Sequence, residues 1–143
     1  MTQKSTLSHE KREESTFEVL SRDQITRILG AVVHEKAFFF YKDIGKPAGD
    51  FATSLTDLCS KINTVPPTSL AFHLKRGDFE NWTKNALGDS ELSNRITKLK
   101  KAKTTWKSDV ILRKKLYAVV RDRVVELQEL WRHALNRPEG VVP

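Results

Sequence analysis

The chain has 143 residues, 38% of them hydrophobic, and a single cysteine, Cys59. That length supports one domain with a core of its own, and a lone cysteine excludes an internal disulfide and any paired-cysteine metal or redox motif. The first sixteen residues carry no apolar segment and no run of eighteen apolar residues follows, so the chain reads as cytoplasmic, without a signal peptide or membrane span.

Met1 to Thr16 is rich in Ser, Thr and charge without apolar periodicity and reads as a disordered tail (1–16). A single domain over 17–135 follows, then a second tail over 136–143. Phe17 to Glu35 has apolar residues near a 3.6 period and reads as helix, with a capping-box pattern from Ser21 to Gln24 where a new helix can start. His34, near its end, reads as a cation at the negative pole of the helix or a plain surface residue.

Ala37 to Tyr41 (AFFFY) is an aromatic run bounded by turn formers and reads as a buried strand, with Phe51 to Leu55 returning as its hairpin partner. The intervening Gly45-Lys46-Pro47-Ala48-Gly49 lacks the spacing of a phosphate loop and reads as a turn. From Ser54 the pattern is helical, with Leu55, Leu58, Cys59 and Ile62 on one face. That places the thiol in the core as an inert side chain. Pro66-Pro67 ends this helix and opens the next.

The segment Leu70 to Leu92 contains two helix breaks, Gly77-Asp78 and Gly88-Asp89. Glycine ends a helix in the left-handed conformation, and the aspartate after it can accept hydrogen bonds from the next helix. Phe79, Trp82, Ala86 and Leu87 share one side of the short helix between the breaks. They read as core anchors, the alternative being an aromatic binding surface. His73, beside Phe72, reads as a hydrogen-bonded core or boundary histidine. The tripeptide Arg76-Gly77-Asp78 reads as the helix break and not as an adhesion motif.

The aromatic strand Phe38 to Tyr41, Ser54-Leu55, Phe72-His73, Gly77 to Trp82 and Gly88 to Leu92 together resemble a family of small, mainly archaeal domains with no established activity. The resemblance spans about 37–96 and is most specific at Gly77 to Trp82. It implies a fold unit and supplies no catalytic residues.

Asp89 to Lys103 reads as a helix that runs into a cationic stretch. Between Arg95 and Lys115 there are nine basic residues (Arg95, Lys98, Lys100, Lys101, Lys103, Lys107, Arg113, Lys114, Lys115) against one acid, Asp109. That segment carries +8 while the whole chain carries +7. A single-sign cluster with an interleaved Trp106 is the footprint of phosphate-backbone binding, lysines releasing counterions and an indole stacking on a base. A solvated helix face, or the counterpart of an acidic protein, explains the same residues.

Ser108 to Leu135 reads as a long amphipathic helix. Tyr117, Val120, Val124, Leu127 and Trp131 alternate by three and four, which suits packing on the domain or a helix-helix homodimer. Arg123 projects into that apolar arc and needs Glu126, a backbone carbonyl or a partner's acid.

The expectation is therefore a predominantly helical α+β domain with one β-hairpin and five or six helices. Within it, 37–96 forms the family-like core and 97–135 the basic segment and long helix. No metal-ligand spacing, nucleophile elbow or nucleotide loop is present, so no enzyme activity, metal or cofactor is expected. The first residues to test for catalysis would be His73, Asp78 and Glu80. The preferred function is DNA or RNA binding through the basic segment, and the alternative is an interaction or oligomerisation module built on the last helix.

Overall fold

The computed structural model of the protein describes residues 20–136. The expected tail over 1–16, the start of the leading helix at Phe17 and residues 137–143 lie outside the described residues. The architecture is α+β and mainly helical, with six α-helices and one two-stranded antiparallel hairpin among the described residues.

Helix α1 (Arg22–Leu29) starts at a complete capping box. Ser21 Oγ accepts from the Gln24 N–H at 3.1 Å, and Gln24 Oε1 accepts from the Ser21 N–H at 2.7 Å. The helix ends at Leu29, with Gly30 in extended conformation, six residues before the expected end at Glu35. The physical reason is a tertiary tie: the Val32 N–H donates to the Thr53 carbonyl at 2.7 Å, which pulls the chain out of helix. His34 then sits on a 3₁₀ turn (His34–Lys36), its exposed ring edge-on to Phe39 and Phe51 at 5.3 and 5.1 Å.

Strands β1 (Phe38–Asp43) and β2 (Lys46–Ala52) pair around a two-residue turn, Ile44-Gly45, tighter than the expected loop. Gly45 supplies a φ of +70° there. The strand, expected to be buried, is buried on one face only. Phe38 and Phe40 point into the core while Phe39 and Tyr41 are 40% and 37% exposed, because only one face of a two-stranded sheet is covered by helices. Register breaks after Phe40, which faces Asp50, whereas Tyr41 faces Pro47. There the Tyr41 N–H leaves the ladder and donates to His73 Nε2 at 2.8 Å.

Helix α2 (Leu55–Ile62) is capped by Ser54 and buries Leu55, Leu58, Cys59 and Ile62. Helix α3 (Pro67–Arg76) opens with Pro67 at its first position and ends at Gly77, φ +78°. Helix α4 (Asp78–Asn85) follows at once, but Asp78 does not cap it. Its carboxylate is taken by His73 Nδ1 and Arg76 Nε, at 2.8 and 3.2 Å. Asp89 does cap helix α5 (Ser90–Lys101), accepting from the Leu92 N–H at 3.2 Å.

A 3₁₀ turn (Lys103–Trp106) leads into helix α6 (Asp109–Leu135), which packs against α1, α2, α3 and α5. Leu112, Leu116, Val120, Val124 and Leu127 from α6 join Phe79, Leu92 and Ile96 in one core. At about 25 cal/mol per Å² of apolar surface, a row of such side chains supplies several kcal/mol. That is why the last helix holds the rest of the fold together. Phe38 closes the other end of the core, stacked on Phe79 at 4.8 Å and 9° and edge-on to Trp82 at 5.8 Å.

Candidate functional site: a lysine surface beside an aromatic groove

The cationic segment is organised by the junction between α5 and α6. The last carbonyls of a helix lack intrahelical donors, and here side chains from the 3₁₀ turn serve them. Thr105 Oγ1 donates to the Leu99 carbonyl at 2.8 Å and Trp106 Nε1 to the Lys100 carbonyl at 2.9 Å. Lys75, from the last turn of α3, places its ammonium 5.6 Å from the Trp106 ring centre. Trp106 is half-buried. Its N–H is committed to capping α5, and a lysine ammonium lies over one side of the ring.

The nine basic residues separate into two groups. Arg95 pairs with Glu91 at 2.8 Å and Glu126 at 2.9 Å, and Lys100 with Glu80 at 3.2 Å. Arg113 donates to the carbonyls of Ile62 and Val65 at 3.1 and 2.9 Å, closing the end of α2 onto α6. Lys115 bonds the Thr104 hydroxyl at 3.2 Å. These four serve the fold. Lys98, Lys101, Lys103, Lys107 and Lys114 are exposed and have no ion pair among the described residues.

The residues expected to meet a partner helix mostly have a partner inside the chain. Val120, Arg123, Val124 and Leu127 are at most 7% exposed. Tyr117 and Trp131 are partly covered, with Arg121 over the first ring and Arg22 of α1 over the second. The heptad spacing is satisfied by α1, α2, α3 and α5. Arg123 reaches Glu126, as expected, and also Asp89, which was not foreseen. Its Nε and Nη2 each donate to an Asp89 carboxylate oxygen at 2.9 Å, both residues being 1% exposed. Burial opposes the guanidinium's charge, and the carboxylates of Asp89 and Glu126 outweigh that effect and raise its pKa.

His73, Asp78 and Glu80 do not converge. His73 Nε2 accepts the Tyr41 N–H at 2.8 Å, so Nδ1 is the protonated nitrogen and donates to Asp78 at 2.8 Å. Both ring nitrogens are engaged in holding β1 on α3 and α4. Burial pushes the His73 pKa below its ordinary value, against the pull of Asp78. Glu80 instead faces Thr97 and Lys100. Cys59 is buried, which raises its thiol pKa. Among the described residues no group of three His, Cys, Asp or Glu is placed to hold a metal, and no helix is long and apolar enough to cross a membrane.

A cavity of about 670 Å³ lies between the hairpin and the ends of α3 and α4. Phe39 and Tyr41 form one wall, Phe72 and Arg76 another, and Asn81 and Asn85 of α4 a third. The sequence carried half of this signal. Alternation along FFFY places residues 39 and 41 on the face opposite 38 and 40, but that Phe39 and Tyr41 share a cavity with residues of α3 and α4 is a matter of tertiary packing. Comparison of the chain with family models, curated proteins and solved structures gives no match.

Proposed function

We propose that the protein binds nucleic acid by its phosphate backbone, without reading sequence, through Lys98, Lys101, Lys103, Lys107 and Lys114. The observation that carries this reading is the division within the cationic segment. Every residue that the fold needs is paired, and five lysines at the α5–α6 junction are left exposed and uncompensated. A surface of one sign focuses a field that attracts a polyanion, and each lysine that neutralises a phosphate releases a counterion.

The test is anisotropy of labelled nucleic acid against salt. Five phosphate contacts give a slope of about −3.5 on single strands and −4.5 on duplex, a loss of roughly 10²-fold or more between about 50 and 200 mM salt. Charge reversal at Lys101, Lys103 and Lys107 should abolish binding with the fold intact. Absence of binding at low salt overturns the reading.

A further inference from the structure

The cavity at the hairpin has features that backbone binding does not need. Its volume, about 670 Å³, lies within the roughly 300–1,000 Å³ typical of small-ligand sites. Phe39 and Tyr41 are 40% and 37% exposed, and the Phe72 ring lies 5.0 Å beneath the Arg76 guanidinium. Arg76 uses only Nε, on Asp78, which leaves both terminal amino groups unpaired among the described residues. Asn81 and Asn85, one turn apart on α4, are exposed, and their carboxamides have no hydrogen-bond partner among the described residues. Aromatic faces, carboxamides and a guanidinium are the groups that bind a planar heterocycle attached to an anion.

We infer that this groove receives an unstacked base of a single-stranded nucleic acid whose phosphates lie on the lysine surface, an inference that rests on the phosphate-binding reading above. Continuity supports it. Consecutive residues in the last turn of α3 face the two regions: Lys75 is over Trp106 at the lysine junction, and Arg76 lines the groove. Gly77 follows, where a Cβ would stand 3.6 Å from Lys100 Nζ. The last turn of α3 thus borders both the α5–α6 junction and the groove. A paired base is held inside its duplex stack and cannot enter a recess of this kind. Addition of a peptide strand to the hairpin is disfavoured, because Trp82 Nε1 already donates to the Lys36 carbonyl at 2.8 Å and His73 already accepts the Tyr41 N–H.

The experiment compares a labelled oligodeoxyadenylate, an oligothymidylate and a duplex of equal length, with the full chain and three variants. These are Tyr41→Ala, Asn81→Ala/Asn85→Ala, and the triple reversal Lys101→Glu/Lys103→Glu/Lys107→Glu, each checked for native circular dichroism. Tighter binding of single strands than of duplex is expected. Both groove variants should weaken it about tenfold or more, as loss of one base contact does, and leave duplex affinity unchanged. The asparagine variant alters only exposed side chains and keeps the test valid if Tyr41→Ala unfolds. Unchanged single-strand affinity in the asparagine variant and in any folded Tyr41→Ala, with loss in the lysine variant, overturns the groove and leaves the phosphate reading standing. Equal weakening on single strand and duplex also overturns it. No binding of any nucleic acid by the unaltered chain overturns both.

Discussion

Arg123 and Asp89, 34 residues apart, meet in two parallel hydrogen bonds of 2.9 Å at the centre of the protein, both 1% exposed. The pair extends into a line of alternating charge, because Glu126 contacts Arg123 and also bonds Arg95, which in turn bonds Glu91. The start of α5 is thereby fixed to the middle of α6. Asp89 has a second task as the cap of α5, so one carboxylate sets both where that helix begins and where it docks.

Asp89→Ala should destabilise the fold by about 3–5 kcal/mol, since it leaves a buried guanidinium with only Glu126 for compensation. The double variant Asp89→Ala/Arg123→Leu should lose less than the sum of the single losses, because the uncompensated charge is gone. Urea unfolding of the four proteins measures this coupling. Strict additivity would show that the two side chains do not stabilise one another.

Acid should weaken the attachment of the hairpin. Burial depresses the His73 pKa in the folded protein relative to an unfolded value of about 6.5. The unfolded state therefore takes up the proton first as pH falls. The stability associated with neutral His73 is complete above about pH 6.5 and is lost as pH drops through the lower folded pKa. Protonation would also set an N–H against the Tyr41 N–H. His73→Gln should be less stable at neutral pH yet show a flatter decline on acidification, measured by thermal unfolding across that window. An identical pH profile in the two proteins would remove His73 from the account.

The two groups of basic residues should respond in opposite ways. Arg113→Ala leaves the carbonyls of Ile62 and Val65 without their donor and should cost about 1–3 kcal/mol, with little change in the affinity of the folded protein for nucleic acid. Lys103→Glu should leave the unfolding midpoint nearly unchanged and reduce the magnitude of the salt slope by about one phosphate contact.

Trp106 separates capping from stacking. Trp106→Leu removes both the aromatic face and the donor to the Lys100 carbonyl, so it should cost about 1–3 kcal/mol of stability with single-strand affinity unchanged. A stability loss without an affinity loss identifies Trp106 as the end-piece of α5.

Much of the fold is legible in local chemistry. The capping box at Ser21, the apolar face from Leu55 to Ile62, the proline that opens α3, the left-handed glycines at 77 and 88 and the period of α6 all depend on residues within a few positions of one another. Backbone propensity and hydrophobic spacing act over that range. The cationic segment is visible for the same reason, since charge can be counted along the chain.

Where local reading stopped short, a distant group had intervened. Thr53 ended the leading helix early, Asp78 went to His73 instead of capping α4, and the apolar arc of α6 was covered by the chain's own helices. The candidate site depends on the same step. No spacing in the sequence separates Lys100 and Arg113 from Lys101, Lys103 and Lys107. The Glu80 carboxylate that pairs with Lys100 and the carbonyls that accept from Arg113 lie on other segments of the chain. Ion pairing and cavity shape follow from distances in space, which exist only once α3, α4, α5 and α6 have packed.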